Sequence, residues 1–588
     1  MPMDIMVSGV PRPLWDMAEN ILNAQKLAFA CRSIDVIGMA VTINEQVVHP
    51  PVFSIMALPF MLVIRDPGTA IFCLNGVLLC ILLFLVFSAA WRLRPSSCDG
   101  YSHAVHIAPA ILATAFGAGS ILARVFSAIA MTELAGAVFV LGSAVSAIQA
   151  DCSCRKKWYA LTGICMSLAF LTKYSYGVFA CPSVLWLVIR HALANKALGR
   201  MAARGWFLLL PIFVCIIGRV LNSYDETALS RFGVSERGVS NVVYTLIITT
   251  GIGMVYLYGR MNGTCRDRLG PCKALILSSV VPVWIWLILP SPNRILGVIR
   301  FFRNRTSLDD RLDSIGFYPR VVVQDYDIRP WIGVLVVSGV VAAAGWLIIG
   351  AVRRCPEANG LYCYSFFCGL IVLASHRYKL ERNLLPLMPL LWICASWGIV
   401  RTLHFIRVRG TALTTLAFLI AVVIFIGLSG SGLVPERLNA YSALPESDRI
   451  IDTIVQNLDV RRKNHVWGAN NHISQPAILS RCLEMGYPVD VIQFDPRKPK
   501  GESCVDRVFS DPNEAAKNFR IWMDQNIGAR VVVIDMRQDC PMRDEDYLRW
   551  NQWKEEYTRM LRLSPEFQMT AQMSFCQDRI HLYVMDRY

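Results

Sequence analysis

The chain of 588 residues is 54% hydrophobic and only 17% charged, with a mean hydropathy of +0.43, which excludes an ordinary soluble globular protein and makes a bilayer its solvent. The net charge of +15 does not point to nucleic acid, because Lys and Arg sit in short clusters between hydrophobic runs rather than on one continuous basic face. The 19 cysteines scatter mostly through apolar segments as small hydrophobes, and Cys152 with Cys154 makes only a lone C-x-C, so neither a metal nor a cofactor is expected.

Residues 1–19 have no positively charged start followed by an apolar core, so no cleavable signal is expected and insertion relies on internal spans. His49 heads His49-Pro50-Pro51, where the prolines bar a regular helix before Pro50 and pre-set the first turn of the apolar run 52–64. At about 13 residues that run is too short to cross and predicts an interfacial helix in the outer headgroup region. Roughly 20 apolar residues are needed for about 30 Å of hydrocarbon. About twelve segments qualify: 69–91, 105–125, 133–149, 158–172, 175–190, 206–222, 241–258, 274–290, 331–352, 361–375, 384–400 and 411–432.

The connecting loops fall into two sets. Arg92-Leu93-Arg94, Arg155-Lys156-Lys157, 190–204, 260–273, Arg353-Arg354 and 401–409 are dense in Lys and Arg and are assigned to the cytoplasm. Residues 1–64, 124–133, 222–241, 290–330 and 376–382 then face outward, as does everything after Leu433. An even span count leaves both ends on one side, an odd parity for a first segment with no preceding helix to carry it across. The segments flanking Lys173 are short, at about 15 residues or about 23 Å of helix, which recesses the Leu171-Thr172-Lys173-Tyr174 turn below the outer surface.

After residue 433 the character changes. Polar helical stretches at 446–458, 513–525 and 544–561 alternate with β-rich runs at 465–467, 530–534 and 580–584. The expected organisation is an external N-terminal segment with interfacial helices (1–68), a transmembrane region (69–432) and an external soluble α/β domain (433–588). Cys482, Cys504, Cys540 and Cys576 allow one or two disulfides there, or free thiols. No internal repeat is visible.

Ionisable groups at the outer ends of several spans converge in this topology: Asp16 and Glu19, His49, Arg124 and Glu133, Lys173, and His376, Lys379, Glu381 and Arg382. Such groups at membrane depth are costly unless paired or functional. A lipid-linked phosphate requires cations at the hydrocarbon boundary, and sugar transfer requires a carboxylate to deprotonate or orient the acceptor hydroxyl. The plainer alternatives are that Arg124, Lys379 and Arg382 snorkel at the interface and that His49 only opens a helix.

Four segments, in order over about residues 16–400, carry a resemblance. Val48-His49-Pro50-Pro51-Val52 with Ala57-Leu58-Pro59 resembles an H-P-P-L segment closing a first external loop. Met131-Thr132-Glu133-Leu134 is similar to a T-D pair at the outer end of a span. Leu161-Thr162-Gly163 through Leu168-Ala169-Phe170-Leu171-Thr172-Lys173-Tyr174 looks like a G-x-x-x-G-L-A-x-L-T-K-Y hairpin. Glu381-Arg382-Asn383-Leu384-Leu385-Pro386-Leu387 resembles R-Y-L-L-P-x-x-P. Together they resemble the GT-C superfamily of polyprenyl-phosphate-dependent glycosyltransferases, in the branch of the protein O-mannosyltransferases and the lipid A aminoarabinose transferase.

That resemblance implies a polytopic α-helical membrane protein of about twelve transmembrane helices with a C-terminal soluble α/β domain. It implies inverting, metal-independent transfer of a sugar from a polyprenyl (dolichyl or undecaprenyl) phosphate to a protein, lipid or glycan acceptor. The setting would be the outer face of a bacterial inner membrane, or the ER membrane in a eukaryote, with membrane lipids and no nucleic acid as partners. Asp16, in Asp16-Met17-Ala18-Glu19, stands for the family's Asp-Glu pair and with Glu133 is the implied catalytic carboxylate. His49, Lys173, Tyr174, Arg382, Tyr318 and His376 are the implied contacts to donor phosphate and substrate. Glu133 replaces an aspartate and Asn383 a tyrosine. The family has a helix before the acidic loop, and this chain begins where that helix would end. The rival classes are a transporter or lipid-linked-sugar flippase, which would show repeated halves, and a scaffold displaying the tail.

Overall fold

A chain this apolar can cross lipid only by closing its backbone hydrogen bonds within helices, and helices are what its described residues form up to position 429. The computed structural model describes residues 15–46, 50–93, 103–194, 266–288, 311–326, 330–352, 360–374, 380–406, 410–429, 446–467, 473–486, 491–493, 529–536, 564–575 and 579–587.

Three helices precede the first long span: α1 (Trp15–Arg32), α2 (Val36–Glu45) and α3 (Val52–Val63). The α1–α2 turn is tight, with Ile34 at φ 56° and the Asp35 carboxylate accepting from the Gly38 amide at 2.8 Å. Helix α3 starts directly after Pro51, as the proline pair predicts. Its last turn is tied back to α1, where Arg32 donates to the Met61 carbonyl at 2.6 Å.

The long helices follow: α4 (Pro67–Trp91), α5 (His103–Gly119), α6 (Ile121–Phe126), α7 (Glu133–Ser153), α8 (Lys156–Thr172), α9 (Tyr174–Ala194), α10 (Arg266–Ile288), α11 (Arg311–Gln324), α12 (Pro330–Val352), α13 (Gly360–Ala374), a 3-10 turn (Glu381–Leu387) running into α14 (Met388–Phe405), and α15 (Gly410–Ser429). Among the described residues four segments are long and apolar enough to cross a membrane, namely Pro67–Trp91, Glu133–Ser153, Pro330–Ile349 and Glu381–Phe405. Their outer faces confirm the solvent. Val77, Phe84 and Trp91 on α4, and Val334, Val341 and Ile348 on α12, recur every seventh residue as exposed apolar stripes, larger than a water-facing surface tolerates.

Predicted spans 206–222 and 241–258 lie outside the described residues; each other predicted span overlaps a helix. The span expected at 105–125 is corrected to two helices broken at Ser120. Ser120 turns extended and caps the Ala123 amide at 3.1 Å. Asp325, just beyond α11, accepts from the Leu122 amide at 2.6 Å through its carboxylate and from the Ile121 amide at 3.3 Å through its carbonyl. A cap supplied from that far along the chain satisfies the orphan amides of a new helix start and leaves no trace in local periodicity. Segment 290–330, expected only as an external connection, contains α11, anchored to α5 by Tyr326 donating to the Phe116 carbonyl at 2.8 Å.

Small residues set the close crossings. A Cβ at Gly163 on α8 would strike Ser278, Ser279 and the Leu275 carbonyl of α10. One at Gly398 on α14 would strike the Gly339 carbonyl on α12, the small-on-small contact that lets membrane helices approach.

The tail contains α16 (Glu446–Gln456), β1 (Asn464–Trp467), α17 (Gln475–Glu484), β2 (Val491–Gln493), β3 (Arg530–Met536), β4 (Phe567–Phe575) and β5 (Ile580–Arg587). The predicted runs at 465–467, 530–534 and 580–584 fall on β1, β3 and β5. The strands form one sheet ordered β2-β1-β3-β5-β4, parallel from β2 to β3 and antiparallel from β3 to β4. Ile450 and Ile454 of α16 and Ile478 of α17 pack on Val532, Ile534, Leu582 and Val584. Register between β3 and β5 is pinned by a bidentate pair of directly opposed residues: Arg530 donates to the two carboxylate oxygens of Asp586 at 2.7 and 2.8 Å. Cys482 is a free thiol buried in this core, where burial pushes it up to about 11; Cys504, Cys540 and Cys576 lie outside the described residues.

Two outcomes follow. Gly398→Ala forces α12 and α14 apart and costs about 1–3 kcal/mol, read as a lower unfolding temperature of the purified chain in lipid nanodiscs; an unchanged value contradicts the crossing. The Arg530 hydrogen bonds hold the Asp586 carboxyl below the usual carboxylate range. Its stabilisation is therefore present above pH of about 4 and is lost as pH falls through the folded value. Asp586→Asn speeds amide exchange of β3 and β5 at pH 7 and flattens their acid dependence.

Candidate active site

Four ionisable side chains from distant parts of the sequence meet at one end of the bundle. Glu133 is the first residue of α7, where the unpaired amides and helix dipole favour a carboxylate. Lys173 is the single extended residue between α8 and α9; its amide bonds the Ala169 carbonyl at 3.1 Å and its carbonyl receives the Tyr176 amide at 2.9 Å. The hairpin thus delivers the Lys173 ammonium to Glu133 Oε1 at 3.3 Å, with the Glu133 side chain 1% exposed and Lys173 13%. Glu133 Oε2 has no hydrogen-bond partner among the described residues.

The second pair joins Asp16, in the first turn of α1, to Arg382 in the 3-10 turn before α14, at 2.8 Å. Its side chains are 38% and 20% exposed, the more open of the two pairs. The other arm of the Arg382 guanidinium reaches Met131 Sδ at 3.9 Å, two residues before Glu133, so the pairs are neighbours. The loop carrying Met131 is held by side-chain amides from two other helices: Asn20 donates to the Ala130 carbonyl at 2.9 Å and Asn75 to the Ile129 carbonyl at 2.6 Å. Two anions and two cations make the cluster formally neutral.

Tyr176 completes the floor. The Lys173 ammonium lies 5.4 Å from the centroid of its ring, within cation–π range. The ring occupies the space that a Cβ at Gly136, one turn into α7 from Glu133, would fill. Sequence reasoning named Tyr174 instead. Tyr174 is buried against Phe170, with ring centroids 5.1 Å apart, in a cluster with Trp286. The available signal was spacing: Gly136 lies three residues after Glu133 and Tyr176 three after Lys173, each one turn from its charge.

Of the other expected residues, Arg124 is fully buried in α6. Tyr318 is buried on α11, its hydroxyl without a partner among the described residues, and burial raises its ionisation well above the usual phenol range; no described contact joins it to the two pairs. His49, His376 and Lys379 lie outside the described residues. The chain on either side of His49 is fastened, since Ser54 donates to the buried Gln46 side chain at 2.9 Å.

Lys173→Met leaves Glu133 buried without its counter-charge and costs about 3–5 kcal/mol, seen as a fall in unfolding temperature. Adding Glu133→Leu restores most of it. Equal losses in the single and double variants contradict the pairing.

No protein family's sequence pattern and no curated protein sequence matches the chain. Among solved structures it is similar to ArnT from Cupriavidus metallidurans in the apo state, at 11% identity and a TM-score of 0.48, with 98% of this chain and 94% of that chain covered. It is likewise similar to ArnT from the same organism bound to undecaprenyl phosphate, at 11% identity and a TM-score of 0.46 over the same shares.

Proposed function

We propose that the chain is a membrane glycosyltransferase of the GT-C type that moves a sugar from a polyprenyl phosphate to an acceptor at the outer membrane surface, with 69–432 as its transmembrane catalytic region and 433–588 as an external α/β domain. The observation that carries this reading is the meeting of Asp16, Glu133, Lys173 and Arg382. Glu133, Lys173 and Arg382 come from three different segments of the resemblance and Asp16 from the acidic position it implies, and together they supply cations for a phosphate and carboxylates for an acceptor at the end of an apolar bundle.

The two carboxylates take different roles because their surroundings differ. Glu133 is closed off and holds Lys173 in place. A lysine has three N–H donors, so one can stay on Glu133 while the others meet the donor phosphate. Asp16 is open and acts as the base. Its carboxylate pairs with Arg382 in the resting state, and an arriving phosphate competes for that guanidinium, freeing the carboxylate to meet the acceptor hydroxyl.

In the transfer step, Asp16 takes the acceptor hydroxyl proton and the acceptor oxygen bonds the anomeric carbon. The carbon–oxygen bond to phosphate breaks with its electron pair on the polyprenyl phosphate, and the configuration inverts. Charge growing on the leaving phosphate is met by Lys173, Arg382 and His49, so no metal or cofactor is invoked. Tyr318, Tyr174 and His376 are assigned to the walls around donor and acceptor.

The test uses membranes containing the full chain and sugar-radiolabelled undecaprenyl phosphate. Lys173→Ala abolishes both transfer and retention of unlabelled undecaprenyl phosphate. Asp16→Asn retains the carrier but loses transfer by about 100-fold or more. Full transfer by Lys173→Ala removes its role, and vectorial movement of the lipid without transfer replaces the enzyme by a flippase.

A further inference from the structure

Most of helix α1 from Met17 to Ala28 is buried or half-buried, although it belongs to neither the long spans nor the sheet. Three of its faces are engaged, and they separate cleanly by helical spacing. Met17, Ile21, Ala24 and Ala28 lie in the core of the helix bundle. Ala18 belongs to the core of the tail, with Ile450, Ile478 and Cys482. On the same face as Ala18, at i+7, Gln25 accepts from Ser480 of α17 at 2.7 Å and donates to Glu484 at 3.4 Å. Asp16 and Asn20, at i and i+4, form the third face, bonded to Arg382 and to the Ala130 carbonyl.

At about 100° per residue, the tail face lies roughly half a turn from the Asp16 face. The tail therefore backs α1 from behind, on the side away from the groups that Asp16 and Asn20 hold. The Asp16–Arg382 pair alone is too exposed to fix a helix: such pairs are worth about 0–1 kcal/mol.

We infer that the tail is a backing element of the site, with Ser480, Gln25 and Ala18 as positioning residues: α17 presses α1 into the bundle and thereby sets Asp16 against Arg382. This deepens the proposed transferase reading, on which the meaning of Asp16 as a base depends. The mechanical coupling is read without that reading.

The measurement is the rate of disulfide formation between Asp16→Cys and Arg382→Cys in the full chain in nanodiscs, under fixed oxidant and in a background whose other accessible thiols are replaced. Ser480→Arg, which drives a bulky cation into the α1–α17 contact, slows that rate by about tenfold or more, given how steeply reactions fall with misplacement of about 1 Å. Gln25→Ala with Ser480→Ala slows it about threefold by the same argument. If Ser480→Arg fails to fold by size-exclusion chromatography, the double alanine decides. An unchanged rate in the folded variants overturns the inference. In transfer assays the same variants lower kcat while KM for the carrier stays at the wild-type value, since Lys173 sits on α8–α9 and not on α1. Wild-type protein that transfers no sugar defeats the transferase reading while the disulfide rates still decide the coupling.

Discussion

The structure depends on the cost of placing charge at the end of a bundle whose solvent is hydrocarbon. Glu133 and Lys173 meet that cost together. The helix start of α7 favours the anion, the α8–α9 turn aims the cation, and the Tyr176 ring, seated on Gly136, supports the ammonium from below. Neither charge would be tolerated there alone. The pair therefore fixes three helices relative to one another, and the neighbouring Asp16–Arg382 pair inherits its place through Met131 and the loop that precedes Glu133.

Around this centre the packing is tight where polar groups need it and small where backbones need it. Amide side chains from α1 and α4 brace the loop before Glu133. Asp325 reaches across from α11 to cap α6. Glycines on α8 and α14 remove the side chains that would hold their helices apart. The open side of the centre is the one that carries Asp16, and the element that carries it is also the element the tail touches.

Much of this was legible in the sequence because hydropathy is a local signal. Runs of apolar residues located most of the described helices of the bundle, the His49-Pro50-Pro51 signal gave the start of α3, and β-rich runs gave β1, β3 and β5. Glu133, Lys173 and Arg382 stood out because charge beside an apolar run is expensive. What was not legible depends on partners far away in the chain. The break at Ser120 requires Asp325, the role of Tyr176 requires Gly136, and the burial of Ala18 on α1 requires a tail that begins hundreds of residues later. Tyr174 packs on Phe170, and it is Tyr176, one turn further along the helix, whose ring lies within cation–π range of the Lys173 ammonium.

The central claim is that the acidic and basic groups gather at one membrane face, opposite the exposed Lys157 at the start of α8. Helix α8 has 17 residues, about 26 Å at about 1.5 Å each, which separates the two ends by close to the hydrocarbon thickness. Single cysteines at Asp16, Lys173, Arg382 and Lys157, challenged with a membrane-impermeant maleimide in sealed vesicles of known orientation, measure this directly. The first three should label from one side and Lys157→Cys from the other. Labelling of Lys173→Cys from the same side as Lys157→Cys, and opposite to Asp16→Cys, would dismantle the site.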